Sequence, residues 1–266
     1  MNQAPIGIFD SGIGGLTVAR AIYERLPQES TIYFGDTARV PYGPKSPETV
    51  TRYSLEILNW LLGQGVKSVV VACNTSTAHA LRTLQQATDV PVLGVIKPGA
   101  RAAIAAGASG PIGVIGTAGT IASDAYRRAI NALAPGVSVL QRACPLFVPL
   151  VEEGWFEHPA TALVATEYLQ ELRQGCVRSL VLGCTHYPLL KPLLQKVMGP
   201  EVRLIDSGQA TASALEAILR EKKLEAPAGV DVRHRFVVSD DEARFQQVGS
   251  RFIGEKLGRA EVVPLG

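Results

Sequence analysis

The sequence has few cysteines, no excess of charge of either sign and no long hydrophobic run. Four cysteines in 266 residues are too few for a disulfide scaffold, so we expect a reducing, cytoplasmic environment. Lys plus Arg number 26 against 24 Asp plus Glu, which gives no field for gathering nucleic acid or anionic lipid. No apolar stretch reaches the roughly 18–20 residues of a membrane span, and residues 1–5 lack the pattern of a signal peptide.

What the chain does have is an alternation of short apolar runs with segments of helical periodicity. The runs are nearly continuous in Val, Ile and Leu, which is typical of parallel strands covered on both faces. The predicted strands are Pro5–Phe9, Thr31–Phe34, Ser68–Ala72, Pro91–Ile96, Pro111–Ile115, Val137–Leu140, Ser179–Leu182, Val202–Ile205 and Arg235–Val238. The predicted helices are Leu16–Leu26, Pro47–Leu62, Ala78–Gln86, Ala160–Arg173 and Thr211–Lys222. This alternation predicts βαβ units and an α/β fold with parallel sheets.

Two segments of the first half are echoed in the second half at nearly the same offset. The run from Ser68 to Thr75 resembles the run from Ser179 to His186, and residues 5–11 resemble residues 111–117. Apolar strands resemble one another in any α/β protein, but a cysteine at the same place after both strands is less common. The echo predicts two similar halves that bring Cys73 and Cys184 to one cleft, since ligands bind beyond the carboxyl ends of parallel strands.

Two thiols on opposite sides of one ligand suit the inversion of a carbon that bears an acidic hydrogen. One sulfur removes the proton and the other delivers a proton to the opposite face, so the two exchange thiolate and thiol states. The ordinary cysteine pKa of about 8.5 keeps both states within reach. Ionisable and hydroxyl side chains follow the same strand ends: Asp10, Ser11, Asn74, Thr75, Thr185 and His186. For either cysteine alone, a role as a small buried hydrophobe is the commoner alternative.

Three other interpretations of these residues are weaker. Gly12, Gly14 and Gly15 after the first strand suggest a dinucleotide site, but Thr17 stands where the third glycine of that motif belongs. The set Cys73, Cys184, His186 and Asp10 could hold zinc, although no paired ligand spacing supports a metal. Asp10 could also simply begin a turn, as Asp206 does in the similar Asp-Ser-Gly at 206–208.

Four stretches of the chain together resemble the bacterial glutamate racemases, within the aspartate/glutamate racemase family. The resemblance runs in order from about residue 5 to about residue 220. Its motifs are Phe9–Val18, Phe34–Gly43, Ala72–Thr75 and Gly183–Leu189. It implies interconversion of L- and D-glutamate without a cofactor or metal, supplying D-glutamate for peptidoglycan and so for cell shape. It also implies a homodimer, and the sequence itself supports binding to neither membrane nor nucleic acid.

The resemblance also implies an architecture and a set of site residues. Two pseudo-symmetric α/β domains would face a central cleft, and we expect residues 1–97 plus 208–266 in the first and 98–207 in the second. Cys73 would act on the D-enantiomer and Cys184 on the L-enantiomer, with Asp10 and His186 assisting and Glu152 a weaker helper. The implied substrate contacts are Asp10, Ser11, Tyr42, Gly43, Asn74, Thr75, Thr185 and His186, with Thr117 and Thr120 as further candidates.

The residues alone predict a two-thiol racemase or epimerase. They do not identify glutamate as its substrate. The alternatives are an aspartate or hydantoin racemase, a maleate-isomerase-like enzyme with one nucleophilic cysteine, and a non-catalytic binding protein on the same scaffold. Some racemases of this type affect DNA gyrase, but the charge balance here does not support a nucleic-acid surface. Arg39 is the one arginine in these motifs, so we expect mainly neutral donors to bind the carboxylates.

Overall fold

The computed structural model describes residues 3–106, 110–254 and 257–265, and all strand pairings among them are parallel. The strands are β1 Ile6–Asp10, β2 Thr31–Gly35, β3 Ser68–Val71, β4 Val92–Gly94, β5 Ile112–Gly116, β6 Val139–Ala143, β7 Ser179–Gly183, β8 Arg203–Asp206, β9 His234–Val238 and β10 Ala260–Val262. The helices are α1 Leu16–Arg25, α2 Pro47–Gly63, α3 Asn74–Gln86, α4 Ile96–Ala105, α5 Ala118–Ala122, α6 Ala125–Leu133, α7 Phe147–Glu152, α8 Pro159–Gln174, α9 Lys191–Met198, α10 Gly208–Glu221 and α11 Glu242–Ile253. The predicted α/β class is confirmed.

The strands form two sheets, and the internal echo of the sequence is reproduced in their order. A larger sheet has the order β10-β9-β2-β1-β3-β4, and a smaller sheet has the order β6-β5-β7-β8. Strands β1 to β4 of the larger sheet therefore match β5 to β8 of the smaller sheet, position by position. The two echoed segments are β1 with β5 and β3 with β7, which makes Cys73 and Cys184 topological equivalents.

The strands are apolar because both faces of each sheet are covered by helices. All five residues of β1, β2, β5 and β7 are buried. Between the sheets, α1 packs on α10 and α10 packs on α4, which joins the two halves behind the cleft. No helix among the described residues combines the length and apolarity needed to cross a bilayer.

Several boundaries differ from the sequence-based expectation. The segment Lys97-Pro98-Gly99, which we expected to be a joint, forms the first turn of α4. Pro98 is tolerated there because the first turn of a helix needs no partner for its N–H. Strand β10 was not predicted, and β6 begins two residues later than expected, at Val139. Residues 225–229 form an irregular loop as predicted.

Candidate active site

Both cysteines of the echo lie directly beyond the carboxyl ends of equivalent strands. Cys73 follows β3 and caps the N-terminus of α3, where its sulfur accepts the N–H of Ser76 at 3.4 Å. Cys184 follows the last residue of β7. Both sulfurs belong to side chains that line the same cavity. A helix N-terminus favours an anion, so the position of Cys73 suits a sulfur that becomes a thiolate during a reaction.

The cavity lies between the two sheets and is small, with a volume of about 40 Å³. It is lined by residues from both sheets: Ser11, Gly12, Val40, Pro41, Tyr42, Gly43, Cys73, Asn74, Thr75, Thr117, Val148, Glu152, Cys184, Thr185 and His186. This set contains every predicted site residue except Asp10 and Thr120, which lie behind the wall. Val148 had no signal in the sequence, since nothing in its neighbourhood distinguishes it from a core residue. A volume of this size holds a few water molecules and is too small for an amino acid, so this structure is closed.

On the side of the larger sheet, Asp10 ends β1, which pairs with β3, the strand that precedes Cys73. Asp10 is fully buried and its Oδ2 accepts the N–H of Gly12 at 3.2 Å, and burial raises the pKa of its carboxyl against the opposing effect of His186. Burial, with a further contribution from Asp10, raises the pKa of Cys73 to about 11. The Cys73 thiol also contacts the hydroxyl of Ser11 at 3.6 Å. At neutral pH Cys73 is therefore a thiol, which is the proton-donating form.

On the side of the smaller sheet, His186 lies between Cys184 and Glu152. Its Nδ1 is 4.0 Å from the Cys184 sulfur and its Nε2 is 3.1 Å from the Glu152 carboxylate. Burial alone lowers the pKa of this imidazole, but Cys184 and Glu152 outweigh burial and raise the pKa to about 10. The imidazolium is thus the stable form at neutral pH, and its Nδ1 faces the sulfur of Cys184.

The Glu152 carboxylate is held by a residue that the sequence did not point to. Arg244 of α11 donates to its second oxygen at 3.2 Å, and this contact joins the C-terminal part of the chain to α7. The pKa of Glu152 is lowered because His186 and Arg244 together outweigh its burial. No local pattern could have found Arg244, which is 92 positions from Glu152 in the sequence.

Arg39 does not reach the cavity, although the sequence left it as a candidate for binding a carboxylate. Its guanidinium donates to the buried carboxylate of Asp36 at 2.8 Å and to Glu56. Asp36 also accepts from the hydroxyl of Tyr42, which fixes the loop that forms one wall of the cavity. Within the described part of the chain, no arginine or lysine lines this cavity, so His186 is the cation that a bound anion meets.

The two sheets meet over the cavity through hydroxyl and backbone contacts. Thr75 on α3 lies 2.9 Å from the hydroxyl of Thr117 and 3.3 Å from that of Thr120, both beyond β5. The N–H of Gly119 donates to the carbonyl of Gly43 at 2.9 Å. Thr120 therefore supports the wall through Thr75 and Thr117 rather than forming it.

Close packing of the Gly-rich turn explains the glycines that resembled a nucleotide-binding loop. A Cβ at Gly14 would lie 2.3 Å from the Thr185 hydroxyl and 2.4 Å from Nδ1 of His186. The same turn brings Thr17 close enough to donate to the carbonyl of Thr185 at 3.1 Å. Glycine is needed here so that the turn after β1 can pack against the segment that carries His186.

Cys144 and Cys176 do not line the cavity, and the residues considered for zinc do not form a ligand set. Cys144 is buried and all four thiols are free, whereas Cys176 is exposed and so is not part of a core. Among residues 3–106, 110–254 and 257–265, no three or more His, Cys, Asp or Glu side chains are arranged to hold a metal ion. The two cysteines, His186 and Asp10 thus share a site without forming a ligand set.

Comparison with known proteins agrees with this geometry. Residues 15–215 match the family model described as Asp/Glu/Hydantoin racemase. A glutamate racemase of Geobacter metallireducens is 56% identical over 260 residues, covering 98% of this chain and 96% of its own length. The solved glutamate racemase RacE1 of Bacillus anthracis is 40% identical with a TM-score of 0.95, covering 100% of this chain and 99% of its own. The Francisella tularensis glutamate racemase, solved in complex with D-glutamate, is 38% identical with a TM-score of 0.93. The match covers 100% of this chain and 99% of that one. The chain therefore belongs to the Asp/Glu/hydantoin racemase family and is an isomerase of the amino-acid racemase type.

Proposed function

We propose that this protein interconverts L- and D-glutamate by proton transfer between two cysteines, with no cofactor. The observation that carries the proposal is that Cys73 and Cys184, on equivalent strands of two sheets, line one cavity. Substrate identity is supported by the relatives, which are glutamate racemases at up to 56% identity over nearly the whole chain. A structural relative holds D-glutamate.

In the direction from L- to D-glutamate, Cys184 as a thiolate takes the α-hydrogen as a proton. The electron pair stays on the α-carbon and is delocalised into the adjacent carboxylate. Cys73 as a thiol then gives its proton to the opposite face, which leaves Cys73 as the thiolate and Cys184 as the thiol. The reverse reaction begins from that exchanged state. The high pKa of Cys73 and the imidazolium of His186 favour the state that accepts L-glutamate.

Asp10 and His186 serve the two sulfurs as charged neighbours. The His186 imidazolium balances a thiolate on Cys184, and Asp10 helps to keep Cys73 protonated. After each turnover from L- to D-glutamate, Cys184 must lose a proton and Cys73 must gain one, and Asp10 favours the second of these changes because it adds to the effect of burial in raising the pKa of Cys73. Glu152 holds His186 in its charged form and therefore acts through it rather than on the substrate.

Glutamate brings two carboxylates into a site whose donors are mostly neutral. We propose that these are the hydroxyls and N–H groups of the cavity wall, contributed by Ser11, Gly43, Asn74, Thr75, Thr117, Thr185 and His186. Neutral donors bind carboxylates less strongly than a bidentate arginine does, so we expect weak substrate binding.

Because the cavity is too small for glutamate as it stands, binding requires the two sheets to move apart at this edge. We propose two domains, residues 1–97 plus 208–266 and residues 98–207, which separate to admit substrate and close to exclude water from the thiolate. By family resemblance we further propose a cytoplasmic homodimer whose D-glutamate is used in peptidoglycan synthesis.

The test is an assay of the purified protein on single enantiomers of glutamate, aspartate and a hydantoin, followed by chiral chromatography without added pyridoxal phosphate. We expect each glutamate enantiomer to be converted to an equal mixture, and the other substrates to react far more slowly. If aspartate or the hydantoin is turned over faster than glutamate, that compound and not glutamate is the substrate. Absence of any racemisation would contradict it in favour of a binding protein, and a covalent adduct on Cys73 detected by mass spectrometry would favour nucleophilic chemistry.

A further inference from the structure

Asn74 presents a buried donor to the cavity that has no partner in the closed structure. The residue is the first of α3, is 3% exposed and lines the cavity. Its Nδ2 is buried and lies within hydrogen-bond distance of no acceptor among the described residues. A buried donor without a partner is costly, and it is tolerated where a ligand supplies the acceptor. The carboxylate of an amino acid is an acceptor of this kind.

The other end of the same carboxamide is held by a residue from the opposite half of the molecule. Tyr126 on α6, beside the smaller sheet, donates its hydroxyl to Oδ1 of Asn74 at 2.7 Å. The two residues are 52 positions apart, and the hydrogen bond crosses between the two sheets. Tyr126 is fully buried, so this bond is shielded from competing water.

The direction of that hydrogen bond decides which way the amide faces. Burial raises the pKa of the Tyr126 phenol, which keeps its single proton at physiological pH. The phenol has one hydrogen, and it donates that hydrogen to Oδ1 of Asn74. The NH₂ group is thereby turned away from Tyr126 and toward the cavity.

The surroundings of Tyr126 are shaped to keep its ring in this place. A Cβ at Gly183, next to Cys184, would lie 2.6 Å from the carbonyl oxygen of Ile115 and 3.0 Å from the tyrosine ring, and one at Gly99 would lie 3.2 Å from the hydroxyl. Both glycines therefore leave room for a tyrosine at this junction between α4, β7 and α6. The ring is fixed by core packing, whereas the hydroxyl is the part that reaches Asn74.

We propose that Tyr126 is a positioning residue for substrate binding, whose hydroxyl orients the Asn74 carboxamide so that its NH₂ donates to a substrate carboxylate. This inference rests on the proposed function, because it needs a carboxylate substrate. It also links binding to the approach of the two halves, because this hydrogen bond joins a side chain of α6 to one of α3.

The test is the Tyr126→Phe variant, which keeps the ring and removes only the hydroxyl. The matched control is Tyr23→Phe, since Tyr23 is also buried and shares a hydrogen bond with Thr31 away from the cavity. We expect Tyr126→Phe to raise the KM for both enantiomers roughly tenfold, because a hydrogen bond to a charged group is weakened. We expect kcat to change less than twofold, since this contact is present in ground and transition states alike. The control should match the wild-type protein in both constants.

A double-variant cycle keeps the test specific to Asn74. If Tyr126 acts by orienting Asn74, then adding Tyr126→Phe to Asn74→Ala should raise KM by less than twofold further. Circular dichroism melting of each variant separates this effect from a loss of folding. An unchanged KM in Tyr126→Phe, or a full tenfold effect in the Asn74→Ala background, would overturn the inference. Wild-type turnover of glutamate in the same assay shows that such a failure concerns Tyr126 and not the proposed function.

Discussion

Glu152 lies 3.1 Å from Nε2 of His186, whose other ring nitrogen faces the sulfur of Cys184 at 4.0 Å. The chain thus places a carboxylate, an imidazole and a thiol in a row, and Arg244 extends the row to α11. Cys184 and Glu152 raise the pKa of His186 against the effect of its burial, and His186 and Arg244 lower the pKa of Glu152, so the imidazolium and the carboxylate stabilise each other.

Replacing Glu152 with Gln should lower the pKa of His186, which now stands at about 10. The imidazolium is present below that pKa and is lost as the pH rises through it. The alkaline limb of the kcat/KM profile should therefore move down by about one pH unit or more in the variant. Profiles measured between pH 6 and 10.5 test this, because kcat/KM reports groups of the free enzyme.

The neighbouring Glu153→Gln variant is the control for that profile. Glu153 is exposed and lies 3.7 Å from Arg244. Its substitution therefore removes a nearby negative charge that does not contact the imidazole. Its alkaline limb should coincide with that of the wild-type protein. If the alkaline limbs of the kcat/KM profiles lie at the same pH in both variants, Glu152 does not set the ionisation of His186.

Asp10 should make Cys73 harder to ionise than burial alone does. Burial raises the pKa of this thiol to about 11, and Asp10 adds to the effect. The rate at which a small methanethiosulfonate reagent labels Cys73 should thus still be rising with pH at about pH 10 in the wild-type protein. In Asp10→Asn, which removes the carboxylate charge, the rate should level off at a lower pH.

Mass spectrometry of the labelled peptides gives the rates for each cysteine separately. Exposed Cys176 provides an internal reference in the same sample, and its labelling should be the same in both proteins. If Asp10→Asn leaves the pH dependence of Cys73 labelling unchanged, the two side chains are not electrostatically linked.

Gly14→Ala should damage both stability and activity. The added methyl group would lie 2.3 Å from Thr185 and 2.4 Å from His186, so the turn after β1 must shift away from the site. Overpacking of this kind costs about 1–3 kcal/mol of unfolding free energy. We expect at least a tenfold fall in kcat/KM, because His186 is displaced.

Gly63→Ala is the matched control, since a Cβ at Gly63 meets nothing within 4 Å. Gly63 is the last residue of α2, where alanine is the better helix former by up to about 1 kcal/mol. Urea unfolding should show this variant to be at least as stable as the wild-type protein. Equal midpoints and equal kcat/KM for the two alanine variants would refute the steric argument.

The parts of the fold that the sequence predicts are those with strong local patterns. Buried strands such as β1 and β7 are continuous apolar runs, and α2 has a clear apolar face. Helix α3 was expected to begin at Ala78 but begins at Asn74. Its first turn is polar because Asn74 and Thr75 face the cavity, so the apolar periodicity starts only after the functional residues.

Elements without such patterns were missed for physical reasons. Strand β10 is three residues long, and only Ala260 is buried, so it shows no apolar run. Pro98 and Gly99 are usual marks of a break, but proline is harmless in a first turn and Gly99 makes room for Tyr126. Local sequence cannot reveal that second requirement.

The candidate site followed from the echo of Cys73 and Cys184, because both follow equivalent strands of similar sheets. The sequence did not predict the side chains that hold the site residues in place from other elements of the fold. Tyr126 and Arg244 reach across from other elements, and neither lies in a motif of chemical meaning. Such contacts depend on how two sheets pack, which single-sequence reasoning does not reach.

The most direct measurement is isotope exchange and racemisation by Cys73→Ala and Cys184→Ala in D₂O. Each variant should lose racemisation by a factor of about a hundred or more, since one of two proton carriers is missing. Cys73→Ala should still exchange the α-hydrogen of L-glutamate, and Cys184→Ala that of D-glutamate, each with retention of configuration. Racemisation near the wild-type rate by either variant would contradict the two-thiol mechanism.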